Sequence, residues 1–200
     1  NNKKVIVTGG STGIGKEVVK LFAKNNAKVA IFDVNNTEGI ELTNELNQNG
    51  HEIRYWNVDV RDANQVSGGV IAAAQWLEGI DILINLAGIL QGASLEIDEF
   101  PDEIWDSVVG INLTGSFLMA KHVSNIMKKQ KSGVIILTSS GAGVDGSSSS
   151  FAYGSSKGGV HGFSMVLMDK LSKYGIRVHD ILPGSVDTPL KNSQIETSRD

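Results

Sequence analysis

Three side chains whose types and spacing could carry proton-transfer chemistry lie in the second half of the chain. Tyr153 and Lys157 are four residues apart in a segment with helical spacing, so both project from one face of the predicted helix. Ser140 precedes Tyr153 by 13 residues and follows an apolar run typical of a buried strand. A free phenol has a pKa of about 10, so a nearby cation is needed to stabilise the phenolate near neutral pH. Such a trio could exchange a proton with a bound hydroxyl or carbonyl oxygen.

A second candidate site lies near the N-terminus. The glycine-rich turn Gly9–Gly15 follows an apolar run and precedes a helical segment, an order that places a pyrophosphate on a helix N-terminus. Asp33 ends the next apolar run, 18 residues after Gly15, where a carboxylate can accept hydrogen bonds from the hydroxyls of an adenine ribose. This carboxylate would repel a 2′-phosphate, and neither Thr12 nor Val34 supplies a compensating cation. The pattern therefore favours NAD over NADP.

The elements that must position these residues alternate along the chain. Short runs rich in Val and Ile separate longer stretches with helical spacing, which indicates βαβ units around a doubly wound parallel sheet with helices on both faces. In such a sheet, ligands bind at the carboxyl ends of the strands. The predicted strands are Lys4–Thr8, Lys28–Asp33, Glu52–Val58, Ile80–Asn85, Val134–Ser139 and Arg177–Leu182, and the predicted helices are Gly13–Asn25, Thr37–Asn49, Asp62–Leu77, Asp102–Lys129 and Phe151–Tyr174.

Composition narrows the class of protein. The 200 residues carry a net charge of −4 with a pI near 5.6, which argues against a nucleic-acid partner. The chain has no cysteine, so disulfides and thiolate chemistry are excluded. No apolar run is long enough for a membrane span, and the first residues do not resemble a signal peptide, so we expect a cytoplasmic protein without a membrane partner. No metal is expected, because metal-ligand spacing is missing around the four histidines, His51, His122, His161 and His179.

Several motifs occur in a fixed order: Thr8 through Gly15, Asn85 through Gly88, Asn112, Ser140, Tyr153 through Lys157, and Pro183-Gly184. This ordered set resembles that of the short-chain dehydrogenase/reductase family, whose members have a Rossmann fold of three α/β/α layers. The resemblance implies an NAD(H)-dependent oxidoreductase that interconverts a secondary alcohol and a ketone. It implies Tyr153 as the general acid/base, Ser140 as the residue that binds the substrate oxygen, Lys157 on the nicotinamide ribose, and Asn112 on a water chain. Either Ser139 or Ser140 could be the serine, and the family's spacing to the tyrosine favours Ser140.

The same resemblance implies a set of cofactor contacts. Asp59, accompanied by Val58 and Val60, would meet the adenine, and the turn after the fourth strand would lie under the adenosine ribose. Leu86 departs from the second asparagine that is common there. The full implied set is Gly9, Ser11, Thr12, Gly13, Ile14, Gly15, Asp33, Val58, Asp59, Val60, Asn85, Ala87, Gly88, Tyr153, Lys157, Pro183, Gly184, Val186 and Thr188.

Domain organisation, partners and substrate follow less directly. We expect one domain over residues 1–200, lacking a last strand and part of the substrate-covering segment found in similar proteins. The helix after Tyr153 is apolar on more than one side, which, with the resemblance, predicts a homodimer or homotetramer. The substrate is a small alcohol or ketone of unspecified kind. Two alternatives stay open: a dinucleotide sensor or scaffold that keeps the fold without turnover, and a methyltransferase-like or flavin-binding sheet.

Overall fold

The computed structural model describes residues 2–184 and 186 of the chain. Its centre is a six-stranded, all-parallel sheet with the strand order β3-β2-β1-β4-β5-β6, which confirms the predicted doubly wound fold. The order of strands reverses between β1 and β4, and their carboxyl ends meet at one edge of the sheet. The strands are β1 Lys4–Thr8, β2 Lys28–Asp33, β3 Ile53–Asn57, β4 Ile82–Asn85, β5 Gly133–Thr138 and β6 Ile176–Ile181.

Helices connect the strands and cover the sheet. A short 3-10 helix, Ile97–Glu99, lies in the long connection after β4, and a π-helical turn, Gly110–Thr114, joins α4 to α5. The helices are α1 Gly13–Lys24, α2 Asn36–Gln48, α3 Ala63–Leu77, α4 Asp102–Val109, α5 Gly115–Gln130, α6 Gly141–Val144 and α7 Phe151–Ser172.

Two apolar cores hold the layers together. On one side of the sheet, Val19 of α1 and Leu42 of α2 pack against the strands, and on the other side α3, α5 and α7 do so. Phe32 is fully buried in the second core, where such a side chain contributes about 2 kcal/mol by leaving water. Because α7 packs against β5 and β6, its N-terminal half, which carries Tyr153 and Lys157, is fixed beside the carboxyl edge of the sheet.

One local prediction was wrong, and one short helix was not predicted. The single helix predicted over Asp102–Lys129 is interrupted by the π-helical turn, at the place where Asn112 reaches across to the backbone of Ile89. Such turns insert an extra residue into a helix and are frequent at functional sites. No element was predicted between Ser139 and Phe151, yet this segment contains α6, which lies so close to α7 that a Cβ on Gly143 would be 2.3 Å from the backbone nitrogen of Gly158.

The outer side of α7 is apolar and exposed. Val160 is fully buried, whereas Met165 and Val166 are 60% and 57% exposed. This is the face that the sequence predicts to meet a second subunit, and that pairing stays a prediction. Within the described residues, no helix is both long enough and apolar enough to cross a membrane.

Candidate active site

One cavity of about 540 Å³ lies at the carboxyl ends of the strands. It collects most of the residues that the sequence singles out, from both halves of the chain. The predicted residues that line it are Gly9, Thr12, Gly13, Ile14, Gly15, Asp33, Val58, Asp59, Val60, Ala87, Gly88, Ser140, Tyr153, Lys157, Pro183, Gly184 and Val186.

Three predicted residues are not part of the cavity lining. Ser11, Asn85 and Asn112 are at least 97% buried behind it. Ser11 and Asn112 hydrogen-bond to the lining residues Asp33 and Ile89, whereas Asn85 reaches the lining only through Thr8, which accepts from the backbone nitrogen of Ala87. Thr188 lies outside the described residues. Lining residues that the sequence reasoning missed include Arg61, Leu90, Ile111, Thr138 and Ser139.

The glycine turn brings three backbone segments into contact. Gly9 has a φ of +64°, and a Cβ there would be 2.9 Å from the Cα of Ala87. A Cβ on Gly15 would be 1.9 Å from the carbonyl oxygen of Gly9, so the first turn of α1 lies directly against the turn before it. Only glycine permits such an approach at both positions.

The N-terminus of α1 is suited to a phosphate group. Asn35, Asp62 and Ser150 cap α2, α3 and α7 with their side chains, whereas the Thr12 side chain makes no capping hydrogen bond to α1. The first turn of α1 also lacks acidic residues. The positive end of this helix therefore faces the cavity without a carboxylate of its own to neutralise it.

Asp33 is held in place at the end of β2. Its Oδ2 accepts a hydrogen bond from the backbone nitrogen of Ser11 at 3.0 Å, and its Oδ1 accepts one from the backbone nitrogen of Asn35 at 3.1 Å. Each oxygen retains a further acceptor position. The carboxylate is thus oriented between the glycine turn and the start of α2, on the lining of the cavity.

Arg61 forms an ion pair with Asp59 at the same end of the cavity. Its Nη2 lies 2.6 Å from Asp59 Oδ2, and its Nε donates to Asp59 Oδ1 at 3.0 Å. The hydrogen bonds from Arg61 hold the pKa of the Asp59 carboxyl below its usual range. Arg61 was not predicted from the sequence. The available signal was its position, two residues after Asp59, the predicted adenine contact.

A chain of buried hydrogen bonds supports the lining near the centre of the sheet. Thr8 Oγ1 donates to Asn85 Oδ1 at 3.1 Å, Asn85 Nδ2 donates to Ser116 Oγ at 2.9 Å, and Ser116 Oγ donates to the carbonyl oxygen of Asn112. The register of the parallel strands sets the first of these bonds, because Thr8 of β1 lies opposite Asn85 of β4.

Asn112 clamps the connection after β4. Its Oδ1 accepts from the backbone nitrogen of Ile89 at 2.9 Å, and its Nδ2 donates to the Ile89 carbonyl at 2.9 Å and to Ser156 Oγ at 3.0 Å. The side chain thereby ties the lining segment that contains Gly88 to α7. The water-chain role implied by the family stays a prediction.

Ser140, Tyr153 and Lys157 meet at the opposite end of the cavity from the Asp59–Arg61 pair. Burial raises the pKa of the Tyr153 phenol, and the adjacent Ser140 hydroxyl opposes this by favouring the phenolate. Lys157 Nζ lies 5.7 Å from the centroid of the Tyr153 ring. A cation near the phenol is expected to lower the pKa of Tyr153, but in the folded chain burial outweighs the neighbouring groups.

Lys157 is 5% exposed, yet its ammonium faces the cavity. Its Nζ donates to the Thr138 carbonyl at 2.8 Å, and a Cβ on Gly88 would lie 3.6 Å from Nζ. Burial lowers the pKa of Lys157 from its usual 10.5 to about 8, although the Asp180 carboxylate works in the opposite direction. This ammonium is therefore poised to change its charge at mildly alkaline pH.

The two adjacent serines have different surroundings. Ser139 is 1% exposed, and its hydroxyl donates to Asp180 Oδ2 at 2.7 Å. Ser140 begins α6, and its hydroxyl lies beside the Tyr153 phenol. The geometry thus places Ser140, the serine that the family spacing selects, next to the tyrosine, while Ser139 belongs to a second network with Asp180.

That second network was missed by the sequence reasoning, which treated His161 as an ordinary helix residue. His161 Nδ1 lies 2.8 Å from Asp180 Oδ2. The signal was available in β6, where the apolar alternation of Ile176 and Val178 puts Asp180 on the buried face of the strand. A carboxylate at a core position requires a partner.

No group of three or more histidine, aspartate or glutamate side chains in the described part of the chain is arranged to hold a metal ion.

Comparison with known proteins agrees with the motifs. The profile of the family described as short chain dehydrogenase matches residues 3–199. (+)-Borneol dehydrogenase 1 of Salvia officinalis is 38% identical over 190 residues, covering 93% of this chain and 70% of that enzyme. The crystal structure of NAD⁺-bound xylitol dehydrogenase is 34% identical with a TM-score of 0.87, covering 92% of this chain and 70% of that one. A variant of actinorhodin polyketide ketoreductase with NADPH is 31% identical with a TM-score of 0.91, covering 99% and 76%. The chain therefore belongs to the short chain dehydrogenase family of oxidoreductases, as its motifs predict.

Proposed function

We propose that this protein is an NAD(H)-dependent oxidoreductase that interconverts a secondary alcohol and a ketone, with Tyr153 as the general acid/base. One observation carries the proposal: Ser140, Tyr153 and Lys157 line the same cavity as the glycine turn and Asp33. Oxidation of an alcohol removes a hydride and a proton from one substrate, so it needs both a bound dinucleotide and a group that takes the proton. A protein that only sensed a dinucleotide would not need the trio.

The described residues fit a nicotinamide dinucleotide. The N-terminus of α1 would hold the pyrophosphate, and Asp33 would accept hydrogen bonds from the adenosine ribose. The turn through Gly88 leaves space beside Lys157, because a Cβ at that glycine would be 3.2 Å from Asn112 Oδ1 and 3.6 Å from Lys157 Nζ. A dinucleotide held there would supply the acceptor for the hydride of the carbinol carbon.

The side chains of the chain handle the proton. In the oxidative direction, the Tyr153 phenolate takes the proton from the substrate hydroxyl while the carbon–oxygen bond becomes a carbonyl. Ser140 donates a hydrogen bond to the substrate oxygen and holds it beside the phenol. The Lys157 ammonium, 5.7 Å from the Tyr153 ring centroid, favours the phenolate and so acts against the burial that raises the pKa of Tyr153. In the reductive direction, the Tyr153 phenol returns the proton.

The preference for NAD over NADP rests on Asp33 and its surroundings. The carboxylate is oriented by Ser11 and Asn35, so a 2′-phosphate would meet a fixed negative charge. Arg61, the nearby cation on the cavity lining, is already bound by Asp59. The two related structures were obtained with NAD⁺ in one case and NADPH in the other, so the family does not decide this point.

We infer further that the protein acts in the cytoplasm and forms a homo-oligomer through the exposed side of α7.

Cofactor and turnover are tested together on the full-length protein. Fluorescence titrations with NADH and NADPH measure binding, and a panel of secondary alcohols and ketones is then followed by nicotinamide absorbance. We expect tighter binding of NADH and turnover of at least one compound. Binding without turnover across the panel would favour a sensor, and no binding of either dinucleotide would contradict the proposal.

A further inference from the structure

Asp180 is a buried carboxylate that the proposed mechanism does not use. Its side chain is 8% exposed and lies on the face of β6 that packs against α7. Burial of an unpaired carboxylate in such a layer is costly, so its partners explain why it is tolerated there.

Three groups hold this carboxylate. The Ser139 hydroxyl donates to Oδ2 at 2.7 Å, the Ser139 backbone nitrogen donates to Oδ1 at 3.1 Å, and His161 Nδ1 lies 2.8 Å from Oδ2. The imidazole is 39% exposed, so it separates the carboxylate from solvent on that side. Both oxygens are thereby fixed in position.

The network borders two of the proposed catalytic residues. Ser139 precedes Ser140, and His161 lies one helical turn after Lys157 on α7. Lys157 Nζ donates to the Thr138 carbonyl, and the next residue along the chain, Ser139, holds the Asp180 carboxylate. The Asp180 charge therefore lies on the side of the network that adjoins Lys157, where it favours the ammonium form against the effect of burial. The other groups near Lys157 are Tyr153 on its own helix, the Thr138 carbonyl of β5 and Asn112 of the π-helical turn, while His161, one turn further along the helix, contacts Asp180. Of these, only the two residues of its own helix can titrate.

We propose that Asp180, held by Ser139 and His161, is a positioning residue that keeps Lys157 in its ammonium form within the cavity lining. His161 acts only through Asp180, because its contact is with the carboxylate. This proposal rests on the proposed function for its catalytic consequence, but not for its effect on the charge of Lys157. The consequence is that the activity persists to a higher pH than the burial of Lys157 alone would allow.

The direct test measures the titration of Lys157 without turnover. Trace labelling of amines with acetic anhydride across a pH series, followed by peptide mass spectrometry, gives the midpoint at which Lys157 becomes reactive. In the wild type we expect it near the pKa of about 8. In Asp180→Asn, which keeps the shape and removes the charge, we expect the midpoint to fall by about one pH unit. An unchanged midpoint in a folded Asp180→Asn variant would overturn the proposal.

A double-mutant cycle tests the part assigned to His161. We expect His161→Gln to move the Lys157 midpoint in the wild type but not in the Asp180→Asn background, because residues that act through one another are not additive. An equal shift in both backgrounds would overturn the indirect role. If Asp180→Asn does not fold, the His161→Gln variant alone tests the proposal, because the half-exposed imidazole of His161 can be replaced at little cost in stability. An unchanged Lys157 midpoint in His161→Gln would then contradict the proposal.

Matched controls and a kinetic readout complete the experiment. Asp169→Asn removes an exposed carboxylate of α7, and His122→Gln removes an imidazole of α5; neither should move the midpoint. In a turnover assay at pH 8, Asp180→Asn should lose about fivefold in kcat, because the ammonium fraction falls from a half to a tenth. If no substrate turns over while the labelling midpoint still moves, the proposed function fails and this inference stands.

Discussion

The two ends of the cavity are built in different ways. The glycine end, formed by Gly9–Gly15, Asp33 and the Asp59–Arg61 pair, consists of close backbone contacts and a half-exposed ion pair. The tyrosine end, formed by Ser140, Tyr153 and Lys157, depends on buried polar side chains that other buried polar groups hold in place. The first end therefore binds mainly through close backbone approach, with Asp33 as its one oriented carboxylate, whereas the second end depends on the charge of its buried side chains.

The difference follows from what each end must do. A pyrophosphate needs close approach to backbone N–H groups, which glycines allow and side chains would block. Proton transfer instead depends on the charges of a phenol and an ammonium: burial lowers the pKa of Lys157 toward the working pH but raises the pKa of Tyr153, which the Ser140 hydroxyl opposes. Substitutions at the two ends should therefore fail in different ways: loss of binding at one and altered titration at the other.

The largest loss of cofactor affinity is expected from breaking the shape of the glycine end. In Gly15→Ala the new Cβ would be 1.9 Å from the Gly9 carbonyl oxygen, so α1 must move away from the turn. We expect NADH affinity to fall by about a hundredfold, equivalent to about 2.7 kcal/mol. Fluorescence titration measures this. The control is Gly68→Ala in α3, where a Cβ meets nothing within 4 Å and affinity should be unchanged.

The next effect comes from removing the buried charge at the tyrosine end. The pKa of Lys157 is about 8 in the folded chain against 10.5 ordinarily, so burial of its ammonium destabilises the fold below pH 8. Between these values the unfolded chain binds more protons, and the free energy of unfolding therefore rises with pH. Relative to Lys157→Met, the wild type should gain about 3 kcal/mol across this window.

Denaturant unfolding at a series of pH values measures that gain. The control is Lys24→Met, at an exposed position in the last turn of α1. Its difference from the wild type should not vary with pH over the same window. A constant difference for Lys157→Met as well would show that Lys157 titrates normally, and the tyrosine end would not be set by burial.

A smaller effect concerns the choice of cofactor. Asp33→Ser removes the fixed carboxylate but keeps a hydrogen-bonding side chain at the end of β2. We expect the ratio of NADPH to NADH affinity to rise by about tenfold, which corresponds to about 1.4 kcal/mol. Parallel titrations measure the ratio, and Glu41→Gln on the exposed side of α2 is the control. An unchanged ratio would mean that Asp33 does not discriminate between the two dinucleotides.

The smallest effect is expected at the ion pair of the glycine end. Arg61 is half exposed and its partner Asp59 is 26% exposed, so solvent screens the pair and limits its worth to less than about 1 kcal/mol. Arg61→Met should change NADH affinity by less than about threefold. A larger loss would show that the Asp59–Arg61 ion pair itself is needed to hold the dinucleotide.

The sequence predicted the glycine end almost completely because its parts are local. The turn is contiguous, and Asp33 ends the next strand, so a parallel sheet with one reversal of strand order brings them together. Arg61 was missed because Asp59 alone was predicted as the side chain that contacts the adenine, and its ion pair with Arg61 was not considered.

At the tyrosine end, the sequence predicted the side chains that line the cavity but not the buried groups that hold them. Spacing on one helix gives Tyr153 and Lys157, but the partners behind them come from other elements. The contact of Asp180 with His161 depends on how β6 packs against α7, and the clamp of Asn112 on Ile89 depends on a π-helical turn. Long-range packing of this kind leaves no regular interval in a single sequence.

The most direct test of the account is Tyr153→Phe, which removes one oxygen from the tyrosine end and leaves the glycine end intact. With a compound that the wild type turns over, we expect kcat to fall by about a hundredfold to ten-thousandfold, because the general acid/base is lost. NADH affinity should stay within about twofold of the wild type. Turnover within about tenfold of the wild type, with NADH still bound, would contradict the assignment of Tyr153 as the proton donor and acceptor.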